Sequence, residues 1–153
     1  MTINQLKLEL QELIDAHGFI TTFRFMEPHR SIKEEEIDYP LLCAYVNQVR
    51  LADRSTEMQI RFIVCDKVDK DWDVNLDEVI SDCVQNITDV YQIMSRTQRW
   101  NKYGKITNVV DVEPFLPAEG NMDYVAGAQC LINFVTPSNY CPTDLPVTNY
   151  NLE

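Results

Sequence analysis

Residues Tyr124 to Phe134 alternate as a β-strand does, with apolar side chains toward both faces, and Thr136-Pro137-Ser138-Asn139-Tyr140-Cys141-Pro142 then stops the run. A strand apolar on both sides belongs in the middle of a sheet rather than at its margin. The prolines that follow cannot continue that sheet, because each lacks an N–H and fixes its own φ. The fold is therefore expected to close near residue 136. A chain of 153 residues is then read as one domain over 1–136, with an extended C-terminal tail over 137–153 that can lie on another surface.

Upstream, Thr2 followed by Gln5 reads as a capping box, and Ile3, Leu6, Leu10, Leu13 and Ile14 recur at helical spacing until His17-Gly18, which predicts a helix over 3–16. Phe19 to Phe25 is short, aromatic and β-branched, the composition of a strand. Met26 to Tyr39 is polar and reads as an exposed loop. From Pro40 a strand is expected in which Leu41, Cys43, Tyr45, Val49 and Leu51 share one face, interrupted by Asn47. Residues 52–56 make a turn, and Glu57 to Asp66 returns with Met58, Ile60, Phe62 and Val64 inward, so the pair forms an antiparallel hairpin. Asn75 with Glu78 marks a second helix start. Leu76, Val79, Ile80, Cys83, Val84, Ile87, Val90, Tyr91 and Met94 then give one apolar stripe, predicting a helix over about 76–98. Strands over about 105–113 and 123–135 complete an α-β-β-β-α-β-β order. The expected class is α+β: a single domain with a mixed, mostly antiparallel sheet, two helices packed on one face, and the extended tail.

Composition narrows the function. The net charge is -11, from 24 acidic and 13 basic residues, which disfavours diffuse binding to phosphate backbones. It suits plain solubility, or the wall of a passage through which DNA slides. No apolar run is long enough to span a bilayer, and MTINQLKLEL has no apolar leader, so neither membrane insertion nor secretion is expected. Cys43, Cys65, Cys83, Cys130 and Cys141 are an odd number without a CxxC pair. The first four sit among apolar neighbours, as buried reduced thiols do.

Reactive constellations are sparse. Asp69-x-Asp71-x-Asp73 begins like a calcium loop, but Val74 stands where the turn glycine is needed and Ile80 where the bidentate glutamate is needed. Acids beside a helix N-terminus account for the same residues. His17 and His29 are the only histidines, and Gly18, Gly104, Gly120 and Gly127 are the only glycines, too few for a phosphate cradle. Asn86-Ile87-Thr88 matches a glycosylation acceptor but falls inside the long helix. No catalytic residue, metal or cofactor is expected, and the chain is not read as an enzyme.

Arg96, Arg99, Lys102 and Lys105 form a basic run with no acid between Asp89 and Asp111. Such a run suits the negative end of a helix dipole. It also suits a nucleic-acid patch interleaved with Trp100 and Tyr103. A third reading is a subunit contact that meets the acidic 34–38 or 66–78 segment of a neighbour head to tail. The candidate interface residues are Glu34, Glu35, Glu36, Arg96, Arg99, Lys102 and Lys105, with Tyr140 in the tail.

In this order of elements the chain resembles the tail-terminator and head-to-tail joining proteins of tailed bacteriophages, small α+β subunits that assemble into a ring. Val125 to Phe134 followed by Pro137-Ser138-Asn139-Tyr140-Cys141-Pro142 is similar to the ending of small structural proteins from phages of Bacteroidetes-type hosts, including the crAss-like group. The resemblance implies a virion structural protein at the neck or tail end, assembled in the host bacterial cytoplasm. Its implied partners are further copies of itself in a ring and other phage neck or tail proteins, with DNA only as passing cargo. It carries over no catalytic residue. The competing expectation is a monomeric acidic inhibitor that mimics DNA toward a nucleic-acid-binding enzyme, resting on the charge of -11 and the acids of 66–78.

Overall fold

The computed structural model describes residues 1–28, 37–69, 75–106, 110–117 and 124–137. In chain order the elements are α1 (Ile3–His17), β1 (Thr22–Arg24), β2 (Leu41–Ala52), β3 (Ser55–Lys67), α2 (Leu76–Arg96), α3 (Gln98–Asn101), β4 (Lys105–Ile106), β5 (Val112–Phe115) and β6 (Val125–Pro137). The fold is α+β, and its strands form one sheet in the order β1-β2-β3-β6-β4, with β5 also on β6. Among the described residues only β1 and β2 run parallel, and every other pairing is antiparallel. β6 lies inside the sheet, as its two-sided apolar pattern predicts, with β3 along one edge and β4 and β5 sharing the other.

The helices pack on one face. Leu6, Leu10, Leu13 and Ile14 from α1 and Val79, Cys83, Ile87, Val90 and Met94 from α2 share a core with Leu42, Ala44, Met58, Ile60, Phe62, Val64, Ala128, Ile132 and Phe134 from the sheet. The capping box at Thr2 forms in both directions, Gln5 N–H donating to Thr2 Oγ1 and Thr2 N–H to Gln5 Oε1. Gly18 closes α1 at φ 79, where a Cβ would be strained. His17 Nε2 meets Asp89 Oδ2 at 3.4 Å, while Glu9 and Glu12 meet Arg99 beyond the end of α2, so the two helices run in opposite directions.

Several expectations change in physical detail. Val49 and Leu51 do not share a face with Leu41, Cys43 and Tyr45. The β2–β3 register shifts between Val46 and Gln48, so a bulge at Asn47 inserts one residue and turns everything beyond it over. The long helix stops at Arg96 because Thr97 is extended, at φ -87 and ψ 142, and α3 restarts with Trp100 buried against Phe134. The strand expected over 105–113 appears as β4 and β5, with 107–109 outside the described residues, and β5 runs on through Pro114 to Phe115. That proline is tolerated because β5 lies at the sheet margin. Asn75 begins α2 without capping it; its Oδ1 instead accepts the amide of Asp69 at 3.4 Å. The N-terminal strand shortens to Thr22–Arg24.

Candidate assembly surfaces

Among the described residues, the face of the sheet away from the helices is covered only in part. At one end Leu41, Cys43, Cys65 and Val125 are buried beneath Ile37, Tyr39 and Phe115. Among the described residues no helix lies on the rest of that face. Side-chain amides bridge its strands: Asn47 Nδ2 donates to Gln59 Oε1 at 2.7 Å, and Gln59 Nε2 donates to Asn133 Oδ1 at 3.2 Å. One step along, Arg61 Nη1 donates to Gln129 Oε1 at 3.1 Å, and Gln129 Nε2 reaches Glu113 Oε2 at 3.4 Å. Arg61, Asp111, Glu113, Gln129 and Leu131 line a shallow hollow of about 240 Å³ there, and Arg61 Nε is buried without a partner.

The margin of the sheet is also open. β1 pairs with β2 only through Leu41, Leu42 and Cys43. Among the described residues no strand pairs with the outer edge of β2 from Tyr45 to Ala52. Val49 and Leu51 project there, Leu51 at 82% exposure. Unpaired backbone with apolar side chains is the usual template for strand addition, and the bulge at Asn47 is the kind of irregularity that limits it.

Charge is sorted along the strands. β3 and β6 pair over their full 13 residues, from Ser55 opposite Pro137 to Lys67 opposite Val125. At the Ser55 end lie the β2–β3 tip with Arg54, the end of β6, and the 101–105 segment with Lys102 and Lys105. At the Lys67 end lie Asp66, Asp69 and the first turns of α2 with Asp77, Glu78 and Asp82. Burial, and after it the charge of Asp82, raises the pKa of Asp66. Burial with the same two carboxylates pushes the Cys83 thiol up to about 12. Cys130 is also raised to about 12, by burial, against the pull of Arg61. Cys43, Cys65, Cys83 and Cys130 are all buried thiols.

The candidate interface residues separate accordingly. Arg99 is engaged at the surface by its own chain: its guanidinium donates to Glu9 and Glu12, which keep it protonated, and Tyr103 Oη donates to Glu9 Oε1 at 2.8 Å. Burial opposes ionisation of Glu9, but hydrogen bonds from Arg99 and Tyr103 and the charges of Arg99 and Lys102 outweigh it, so its carboxyl sits below its ordinary value. Arg96 occupies the last turn of α2, where a cation meets the negative end of the helix dipole. Lys102 and Lys105 are brought together with Arg54, a residue the local sequence gives no reason to group with them. These cations, with Ser55, Asn101, Gly104, Val135 and Pro137, line a cleft of about 320 Å³. Lys102 Nζ also lies 4.4 Å from the centre of the Tyr103 ring. Glu34, Glu35, Glu36 and Tyr140 lie outside the described residues, as do His29, residues 70–74 of the acidic loop, and the tail beyond Pro137.

Chemistry is sparse on these surfaces. Among the described residues no group of His, Cys, Asp and Glu side chains is placed to hold a metal ion. Asn86 is buried within α2, which rules out its modification in the folded chain. No helix among the described residues is long and apolar enough to cross a membrane. No protein-family model matches the sequence, and no curated protein is significantly similar to it.

Proposed function

We propose that this chain is a virion structural protein of a tailed phage. In this reading its copies form a ring at the neck or tail end, as a tail terminator or head-to-tail connector, joining components and leaving a passage for DNA. The observation that carries the reading is the state of the sheet: one face packed by helices and, among the described residues, the other bridged by amides and largely uncovered, with the β2 edge unpaired beyond Cys43. Such surfaces suit contacts between protein subunits. The acidic balance favours it too, since a ring wall of net negative charge repels passing DNA rather than holding it.

The alternative, a monomeric DNA mimic, needs carboxylates spaced along a surface. It has less support, because among the described residues the uncovered face carries amides and Arg61 beside Asp111 and Glu113 rather than a regular row of carboxylates. Size-exclusion chromatography with light scattering, followed by negative-stain electron microscopy, tests the proposal. Closed rings are expected, alone or with a neck or tail component. A chain that stays single and binds no such component refutes it.

A further inference from the structure

The cleft between the β2–β3 tip and the 101–105 segment is lined by Arg54, Lys102 and Lys105 and, among the described residues, by no carboxylate. Among the described residues, the acids at that end are Asp53, Glu57, and the Glu9 and Glu12 that Arg99 already engages. Gly104 is one of the lining residues. A Cβ there would lie 2.3 Å from the carbonyl oxygen of Val135, so the chain passes β6 more closely than any side chain allows. At the other end Asp66, Asp69, Asp77, Glu78 and Asp82 crowd together, and the nearby cation Lys67 is turned over the Tyr39 ring at 5.3 Å. Among the described residues, the charged side chains that line the cleft are therefore all cations, while at the other end the carboxylates outnumber Lys67. The ends are about 40 Å apart, taking about 3.3 Å per strand residue. One molecule cannot bring them together; two can.

We propose that the Arg54–Lys102–Lys105 cleft is the socket for the acidic end of a second copy of this chain, so that copies join head to tail. This rests on the reading of the chain as a self-assembling subunit and names the surfaces that meet. The contact uses two different patches, so each copy keeps one unfilled socket and one unfilled acidic end. A repeated contact of this type closes into a ring when the rotation allows. Polar Ser55 and Asn101 and apolar Val135 and Pro137 line the cleft beside its charges.

The test uses the full chain and two variants. Arg54→Glu with Lys105→Glu reverses the socket, and Asp77→Lys with Glu78→Lys reverses the acidic end. All four side chains are exposed, and circular dichroism checks the fold of each variant. Light scattering is expected to show each variant as single chains. An equal mixture should regain association, because the intact socket of one variant meets the intact acidic end of the other and the two reversed patches are again opposite in charge. For the unmodified chain, raising salt from about 0.1 M to about 1 M shortens the screening length from about 10 Å to about 3 Å and should weaken association about tenfold or more. If a reversed variant misfolds, the neutral pair Arg54→Gln with Lys105→Gln gives the same readout with a smaller loss. A mixture that stays single-chained overturns the socket, as does a variant that assembles like the parent. If the parent forms rings that charge reversal leaves intact, the socket is wrong while the ring reading survives. If the parent is single-chained at every salt and concentration, both fall.

Discussion

Replacing Phe134 with alanine should remove a large part of the stability of this fold. Phe134 is fully buried, its ring centre is 6.2 Å from that of Trp100 at an interplanar angle of 83°, and Ile106 lies opposite it on β4. The surroundings are tight, since even a Cβ on Gly104 would come within 3.1 Å of the Phe134 ring. Truncation deletes roughly 100 Å³ of side chain. At about 24 cal/mol per Å³ an uncollapsed cavity costs about 2.4 kcal/mol, and lost transfer free energy adds about 2 kcal/mol. The expected loss is about 4 kcal/mol, against a total of about 5–15 kcal/mol for an ordinary domain. The edge-to-face geometry adds a second expectation: a double-mutant cycle with Trp100→Ala should return a coupling of about 0.5–1.5 kcal/mol. Urea unfolding followed by far-UV circular dichroism reads both, with the midpoint shifting at constant slope. If Phe134→Ala does not fold, Phe134→Leu, expected to cost about 1–2 kcal/mol, keeps the cycle measurable. A loss below about 2 kcal/mol with no coupling to Trp100 would mean that β6 and α3 are not packed as described.

Gly127→Ala should cost at least about 3 kcal/mol or prevent folding, because its Cβ would lie 1.9 Å from the Val64 carbonyl oxygen. Gly18→Ala, with open space but φ 79, should cost only about 1–2 kcal/mol; equal losses at the two sites would contradict the close approach of β3 and β6. Asp66 and Glu9 should act oppositely with pH. The raised pKa of Asp66 means that its ionisation opposes folding, a cost absent below the unfolded value of 3.8 and complete once pH rises through the folded value. Asp66→Asn should therefore stabilise the chain at pH 7 and lose that advantage toward pH 3. Glu9 is lowered, so its contribution is complete above 4.5 and disappears as pH falls through the folded value. Glu9→Gln should accordingly destabilise at pH 7 but not in acid, and urea midpoints across pH that move the other way would reverse both assignments. Cys83 and Cys130, each raised to about 12, should resist maleimide at pH 7.5 until the chain unfolds, as peptide mass spectrometry will show.

Local periodicity made most of the fold legible. The α1 stripe with its Thr2 cap, the α2 stripe and the two-sided pattern of β6 each depend on neighbours a few residues away, and each appears where expected. What escaped depends on contacts between distant residues or on one local irregularity. Asn47 reads as a polar interruption, yet the bulge there reverses the facing of Val49 and Leu51. Thr97 ends α2 with an extended backbone, and Trp100 just beyond it packs on Phe134. At the surface, the basic run was visible, but its division was not. Arg99 is answered by Glu9 and Glu12 some ninety positions earlier, while Lys102 and Lys105 acquire Arg54 because β3 and β6 end together. Spacing along a sequence cannot report which charges a sheet brings to the same end.

Sorted charge also bears on timing. Cations lining a cleft at one tip and carboxylates gathered at the other give the described residues a polar field, so a second molecule diffusing toward it is turned before they touch. Fewer collisions are then wasted on wrong orientations, and encounter speeds up without any tightening of the final grip. Dissolved ions erase that guidance first, slowing arrival while leaving departure nearly unchanged.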